Sequence, residues 1–173
     1  MKHFLLATFL MVLELNLVLS QDADQFAETV DSKYYDFWEG TWFKYENGEI
    51  DTSGTYFKVK RGIHPAAFQE NWRLVIDSTT TLYATAVRAW DKTDTKWRYV
   101  WISEDSLFQV WDGVKVDEDW YIYKTFKING EHILSRQAWL PQKDDLVLRT
   151  SEWSKDNGKS WKLRFKEYYK KID

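Results

Sequence analysis

The feature that most limits what this chain can fold into is the alternation of aromatic and β-branched residues with polar ones. In "KWRYVWI" (96–102), Trp97, Tyr99 and Trp101 fall on one side, with Arg98, Val100 and Ile102 on the other. "FQENWRLVI" (68–76) separates Phe68, Glu70, Trp72 and Leu74 from Gln69, Asn71, Arg73 and Val75, and "DWYIYKTFKI" (119–128) alternates likewise. A period of two marks half-buried strands, because successive side chains leave a strand on opposite faces. Turn signals punctuate the runs: Asn47-Gly48, Ser53-Gly54, Arg61-Gly62, Asp91 to Asp94, Asp112-Gly113, Asn129-Gly130, Lys143 to Asp145 and Asn157-Gly158. Asn-Gly is the strongest of these, since both central residues of a tight hairpin need positive φ.

The runs predict strands near 41–46, 52–60, 66–76, 82–90, 96–103, 106–112, 118–128, 131–140, 145–154 and 160–168. About ten consecutive antiparallel strands with short hairpins suit an up-and-down barrel, whose closure removes exposed edges. A two-sheet sandwich is the alternative. "DADQFAETVDSKYYDF" (22–37) has helical spacing at Phe26, Val30 and Tyr34, so a short helix is expected before the first strand. The expected class is all-β, a barrel of about ten strands with one short N-terminal helix.

Residues 1–20 read differently. Lys2 and His3 precede the apolar run "FLLATFLMVL", and Val18 and Ser20 occupy the −3 and −1 positions of a cleavage site. This is the pattern of a secretory signal peptide, too short for a membrane span, and it leaves 21–173 as a single domain. The chain has no cysteine, which excludes disulfides and lipoprotein anchoring. Export without disulfides fits a bacterial periplasm or the medium, so a periplasmic or extracellular location is expected. The net charge of −3 is spread without blocks, which argues against nucleic acid as a partner.

"FWEGTW" (37–42) adds a resemblance. Gly40-Thr41-Trp42, opening the first strand, resembles the Gly-x-Trp signature of lipocalins and related calycins. In that superfamily the Trp closes one end of the barrel and an Arg of the last strand stacks across it. The resemblance implies that part for Arg164 in "WKLRFKEYY". The Thr-Asp-Tyr element of lipocalins is missing. With "ENW" (70–72), "WDKTDTKW" (90–97), "RQAW" (136–139) and "SEWSKDNGKSW" (151–161), the ordered set resembles a family of secreted bacterial calycin-like (lipocalin-like) small barrels. Most of those have no assigned biochemical function. The likeness runs from about Asp36 to Tyr169 and implies a fold rather than an activity.

"SKDNGKSW" (154–161) matches the Asp box of sialidase propellers. One copy in a chain too short for six four-stranded blades predicts a hairpin device, with Asp156 and Ser side chains holding turn amides. His64 and His132 stand in no ligand spacing and have no cysteine to help, so no metal or cofactor is expected. Serine-nucleophile elbows, P-loops and dinucleotide fingerprints are missing from the sequence.

Interior polar groups carry the functional expectation. If Trp72, Tyr99 and Trp101 face inward, parity puts Glu70 beside Trp72. Arg136 and Glu152 are further candidates for the lining. A buried carboxyl group needs a partner, so Glu70 or Glu152 is expected to pair with Arg136 or Arg149. The expected function is binding of a small, largely apolar or aromatic ligand. Trp72, Tyr99, Trp101 and Trp111 would form the walls, and Glu70, Arg136 and Glu152 the polar contacts. One alternative is an isomerase, cyclase or hydrolase using a buried Glu as general acid or base. Another is glycan or protein binding through exposed tryptophans such as Trp120 or Trp153, without an interior cavity.

Overall fold

The computed structural model describes residues 29–172. The leader, its cleavage point and the first half of the expected helix lie outside them. Ten strands follow one another: β1 (Gly40–Glu46), β2 (Glu49–Arg61), β3 (Ala67–Val75), β4 (Thr81–Asp91), β5 (Lys96–Ser103), β6 (Phe108–Val116), β7 (Asp119–Ile128), β8 (Glu131–Pro141), β9 (Leu146–Ser154) and β10 (Lys162–Ile172). Each pairs antiparallel with its neighbours in sequence, and β1 pairs with β10. The sheet is therefore a closed barrel and not a sandwich.

The Asn-Gly turns form as their chemistry requires. Asn47-Gly48, Asn129-Gly130 and Asn157-Gly158 all have positive φ. Two other turn signals are not turns. Ser53-Gly54 lies within β2, where the Asp51 carboxyl accepts from both backbone amides at 3.0 and 2.9 Å. The β1–β2 register shifts beside it, between Phe43 and Lys44, so the signal marks a bulge. Asp112-Gly113 lies within β6. A Cβ at position 113 would sit 2.2 Å from the Trp97 carbonyl oxygen, so the glycine there serves a close backbone approach. The chain turns instead at Asp117, with φ of 55°.

The expected helix does not appear in the described segment. Asp31–Lys33 is a single 3-10 turn, continued by i to i+3 bonds from Asp36 N–H to the Lys33 carbonyl and from Trp38 N–H to the Tyr35 carbonyl, both 2.9 Å. Tyr35 and Trp38 are fully buried, with Tyr34 and Phe37 packed against the same core. A helix offers the core one stripe, whereas four aromatics in five positions call for a tighter, less regular path.

These aromatics plug one end of the barrel. Trp38, Trp42, Phe57, Trp72, Trp139 and Tyr169 interlock there, with ring centroids 4.1 Å apart for Phe57 and Trp72 and 4.9 Å for Trp38 and Trp139. β4 makes room for them: Ala84 stands opposite Trp72, and Ala86 opposite Glu70. Lys171 takes the part expected of Arg164. The β1–β10 register sets Lys171 opposite Trp42, its ammonium lies 5.5 Å from the Trp42 ring, and it donates to the Phe37 carbonyl at 3.2 Å. Arg164 sits at a bulge toward the far end of β10, 5.7 Å from the Trp153 ring.

Candidate functional site

Above the plug lies a polar floor. Glu70 is completely buried. Its Oε1 accepts from Trp38 Nε1 at 2.9 Å and from Arg88 Nε at 3.1 Å. Its Oε2 accepts from Trp72 Nε1 at 3.0 Å and from the Tyr99 hydroxyl at 3.5 Å. Arg88, also completely buried, lays its guanidinium 4.3 Å from the Tyr35 ring and 4.8 Å from the Tyr99 ring, and its Nη atoms have no hydrogen-bond partner. Stacking between aromatic faces replaces the missing acceptors in part. Burial pushes the Tyr99 hydroxyl well above its usual range, and Glu70 adds to the shift, so this hydroxyl stays a neutral donor.

Beyond the floor the interior opens. A cavity of about 260 Å³ is lined by Gln109 and Trp111 on β6, Phe126 and Ile128 on β7, Ile133, Ser135 and Gln137 on β8, Trp153 on β9 and Arg164 on β10. A smaller chamber of about 90 Å³ lies further in, lined by Tyr99, Trp101, Gln109, Trp111, Gln137 and Arg149. The two share Gln109, Trp111 and Gln137, which form the waist between them. Ile128 and Arg164 are solvent-exposed at the rim. A larger hollow of about 420 Å³ beside the β1–β2 turn is a groove edged by the charged Lys44, Glu46, Lys166 and Glu167, with Tyr45 and Tyr168 as its two aromatics and no tryptophan.

The waist is held by side chains that bind one another. Gln109 Oε1 accepts from Trp111 Nε1 at 3.0 Å. Arg149 Nη1 donates to Glu167 at 3.2 Å, and its Nη2 donates to Gln137 Oε1 at 3.3 Å. The Arg149 guanidinium also packs 5.1 Å from the Trp139 ring and 4.7 Å from the Phe165 ring. Arg149 Nε and the hydroxyl of fully buried Ser151 have no partner.

The sequence-predicted site residues divide three ways. Tyr99, Trp101 and Trp111 line the inner chamber. Glu70 and Trp72 face inward but belong to the floor and plug, lining neither chamber. Arg136 and Glu152 are not interior residues. They stand directly opposite each other across β8 and β9, on the parity opposite to Ser135, Gln137 and Trp153, and so on the outer face. There Arg136 Nε donates to Glu152 at 2.6 Å and the guanidinium lies 4.1 Å from the Trp161 ring. The partner of Glu70 is Arg88, not Arg136 or Arg149.

Gln109, Gln137, Ser135, Phe126 and the lining role of Arg149 were not anticipated. A continuous signal existed for some of them: Ile133, Ser135, Gln137 and Trp139 alternate along one strand. Trp120 is buried and Trp153 half-buried, so neither is the exposed platform that surface glycan binding calls for. Among the described residues, aspartate and glutamate are missing from the lining of both chambers, and the four close contacts of Glu70 are all donors of the protein itself.

The Asp box is a hairpin clamp. Ser154 Oγ accepts from Gly158 N–H at 2.7 Å and donates to Asp156 at 2.6 Å, and Asp156 accepts from the amide and hydroxyl of Ser160 at 2.9 and 2.6 Å. Gly158 has φ of 89°, beside the Trp161 ring. His64 is a turn residue whose Nδ1 accepts from Ala66 N–H at 3.0 Å, and His132 is exposed on β8. Among the described residues, no group of three or more His, Asp or Glu is placed to hold a metal, and no helix is long and apolar enough to cross a membrane. No protein-family model matches the chain and no curated protein matches it; the calycin resemblance rests on its motifs, and the site on its geometry.

Proposed function

We propose that this chain is an exported, calycin-like binding protein that takes a small, largely apolar or aromatic molecule into the end of the barrel opposite the plug. The observation that carries this reading is the asymmetry of the interior. One end is filled by interlocked rings, while the other keeps an aromatic-walled cavity with two glutamines at its waist and an arginine in its inner chamber. Concave, mostly apolar sites with a few fixed polar groups are the usual form of small-molecule sites, and these chambers stand at the small end of that range. The leader sequence supports export. Trp101, Trp111, Phe126 and Trp153 would cover the ligand's rings or chains, and Gln109, Gln137 and Arg149 would fix its polar end.

Native mass spectrometry of the protein purified gently from its own host tests this. A small molecule retained by wild type and lost in Trp111→Ala, with the melting temperature of the variant showing that it is folded, supports the proposal. A cavity that gives no co-purifying mass, and no change in tryptophan emission with aromatic or aliphatic probes, overturns it.

A further inference from the structure

We infer that the ligand is an acid: an apolar or aromatic molecule with one carboxylate, seated with that group at Arg149 and Ser151. This inference rests on the ligand-binding reading above and narrows it. The first observation is the charge of the lining. Both chambers together are lined by two guanidiniums, Arg149, which is paired with Glu167 behind the lining, and Arg164, and by no carboxylate. Arg164 stands at the rim beside the Trp153 ring, and among the described residues no Asp or Glu pairs with it. An unpaired cation at the mouth favours acidic solutes and repels amines.

The second observation is independent and lies deeper. Arg149 has given its two Nη atoms to Glu167 and Gln137, which fixes the guanidinium plane and leaves Nε as the donor still to be satisfied. Ser151, the next inward residue along β9 and directly opposite Gln137, is fully buried with its hydroxyl unpartnered. Buried donors without acceptors are rare and costly in folded proteins. Two of them follow one another on one strand face, Arg149 in the lining of the inner chamber and Ser151 beside it, opposite the lining residue Gln137, and they call for an acceptor from outside. A carboxylate brings two acceptor oxygens and a charge that opposes the guanidinium. Water can serve the same donors in the free protein, and a carboxylate displacing it meets them with stronger, charge-assisted bonds. The body of such an acid then runs outward past Trp101 and Trp111 to Phe126, toward the rim.

The test uses a matched pair of probes, 2-naphthoate and its neutral isostere 2-naphthamide, titrated by calorimetry at pH 7 into the wild-type chain and three variants. The expected result is at least roughly tenfold tighter binding of the naphthoate, the scale of one charge-assisted contact. In Arg149→Gln the preference collapses to within about twofold. Because Arg149 also holds Glu167, that variant can lose stability, so Ser151→Ala is the second arm. It deletes only an unpartnered hydroxyl, keeps or raises the melting temperature, and reduces the preference several-fold. Equal affinity for the two probes, with both lost in Trp111→Ala, overturns the acid preference while the cavity stands. A preference that survives both Arg149→Gln and Ser151→Ala overturns the placement. If neither probe binds, both the acid reading and the cavity reading fall.

Discussion

The two ends of the barrel are made from the same residues and use them in opposite ways. At the plugged end, four indole N–H groups have fixed acceptors inside the protein: Trp38 and Trp72 on Glu70, Trp42 on the Trp38 carbonyl, and Trp97 on the Asp31 carbonyl. At the open end, Trp101 and Trp153 are half-buried, and Ser151 and Arg149 keep donors that nothing in the protein accepts. Aromatic abundance therefore does not separate core from binding wall. What separates them is whether the rings interlock or line a cavity, since buried donors without partners occur at both ends: Arg88 Nη and Trp120 Nε1 at the plug, Arg149 Nε and the Ser151 hydroxyl beyond it.

The largest effect should come from the plugged end. Glu70→Gln leaves Arg88 buried without a counter-charge, and breaking a buried pair from one side costs about 3–5 kcal/mol. For a domain of this size that lowers the melting temperature by roughly 10 °C, readable by urea unfolding and a thermal scan. A loss under about 1 kcal/mol would place this pair with ordinary surface ion pairs and remove the distinction between the ends. At the open end, Phe126→Ala should cost only about 1–2 kcal/mol, because it widens a cavity that already exists rather than opening one in packed core. Its effect on probe affinity should exceed its effect on stability. If Phe126→Ala destabilises as much as Glu70→Gln, the open end is core and not a wall.

The outer face provides the next comparison. Arg136 and Glu152 have side chains 20% and 22% exposed, so Glu152→Gln should cost about 1 kcal/mol or less and leave probe binding unchanged. Any loss of binding would bring the pair back into the site.

This pair also shows how far the sequence could be read. Strand number, order and most boundaries followed from alternation and Asn-Gly turns, because those cues are local. Parity within one strand was equally legible: once Trp72 faced inward, so did Glu70, and Tyr99 with Trp101. Parity across hairpins was not, since a one-residue change in register turns every side chain to the other face. Arg136 and Glu152 were misplaced for that reason. Arg88 had a signal that passed unused, an inward row of Ala84, Ala86, Arg88 and Trp90 whose small residues imply large neighbours on β3. The division between plug and cavity is a property of depth along the barrel, which no residue pattern within a strand encodes.

The smallest effect belongs to the β9–β10 hairpin at the open end, and it tests whether the two ends open together. Hydrogen bonds from the Ser154 hydroxyl, then from the hydroxyl and amide of Ser160, hold the Asp156 carboxyl down at about 2. The unfolded chain titrates near the ordinary aspartate value of about 3.9. A group whose folded pKa is lowered contributes its full stabilisation above the unfolded value and loses it as the pH falls through the folded one. The clamp should therefore hold at pH 5 and loosen between about pH 4 and pH 2. Amide exchange by NMR, corrected for intrinsic rates, reads this directly. Ser160 N–H, bound to Asp156, should lose protection in that window, and Asp156→Asn should lower it at every pH. Protection of Ser160 that stays constant down to pH 2 would show that the carboxylate does not hold the turn. If Trp38 N–H stays protected while Ser160 exchanges, the rim opens without the plug, the behaviour the proposed binding function calls for. Loss of both together would make the barrel a single cooperative unit, with the open end as rigid as the closed one.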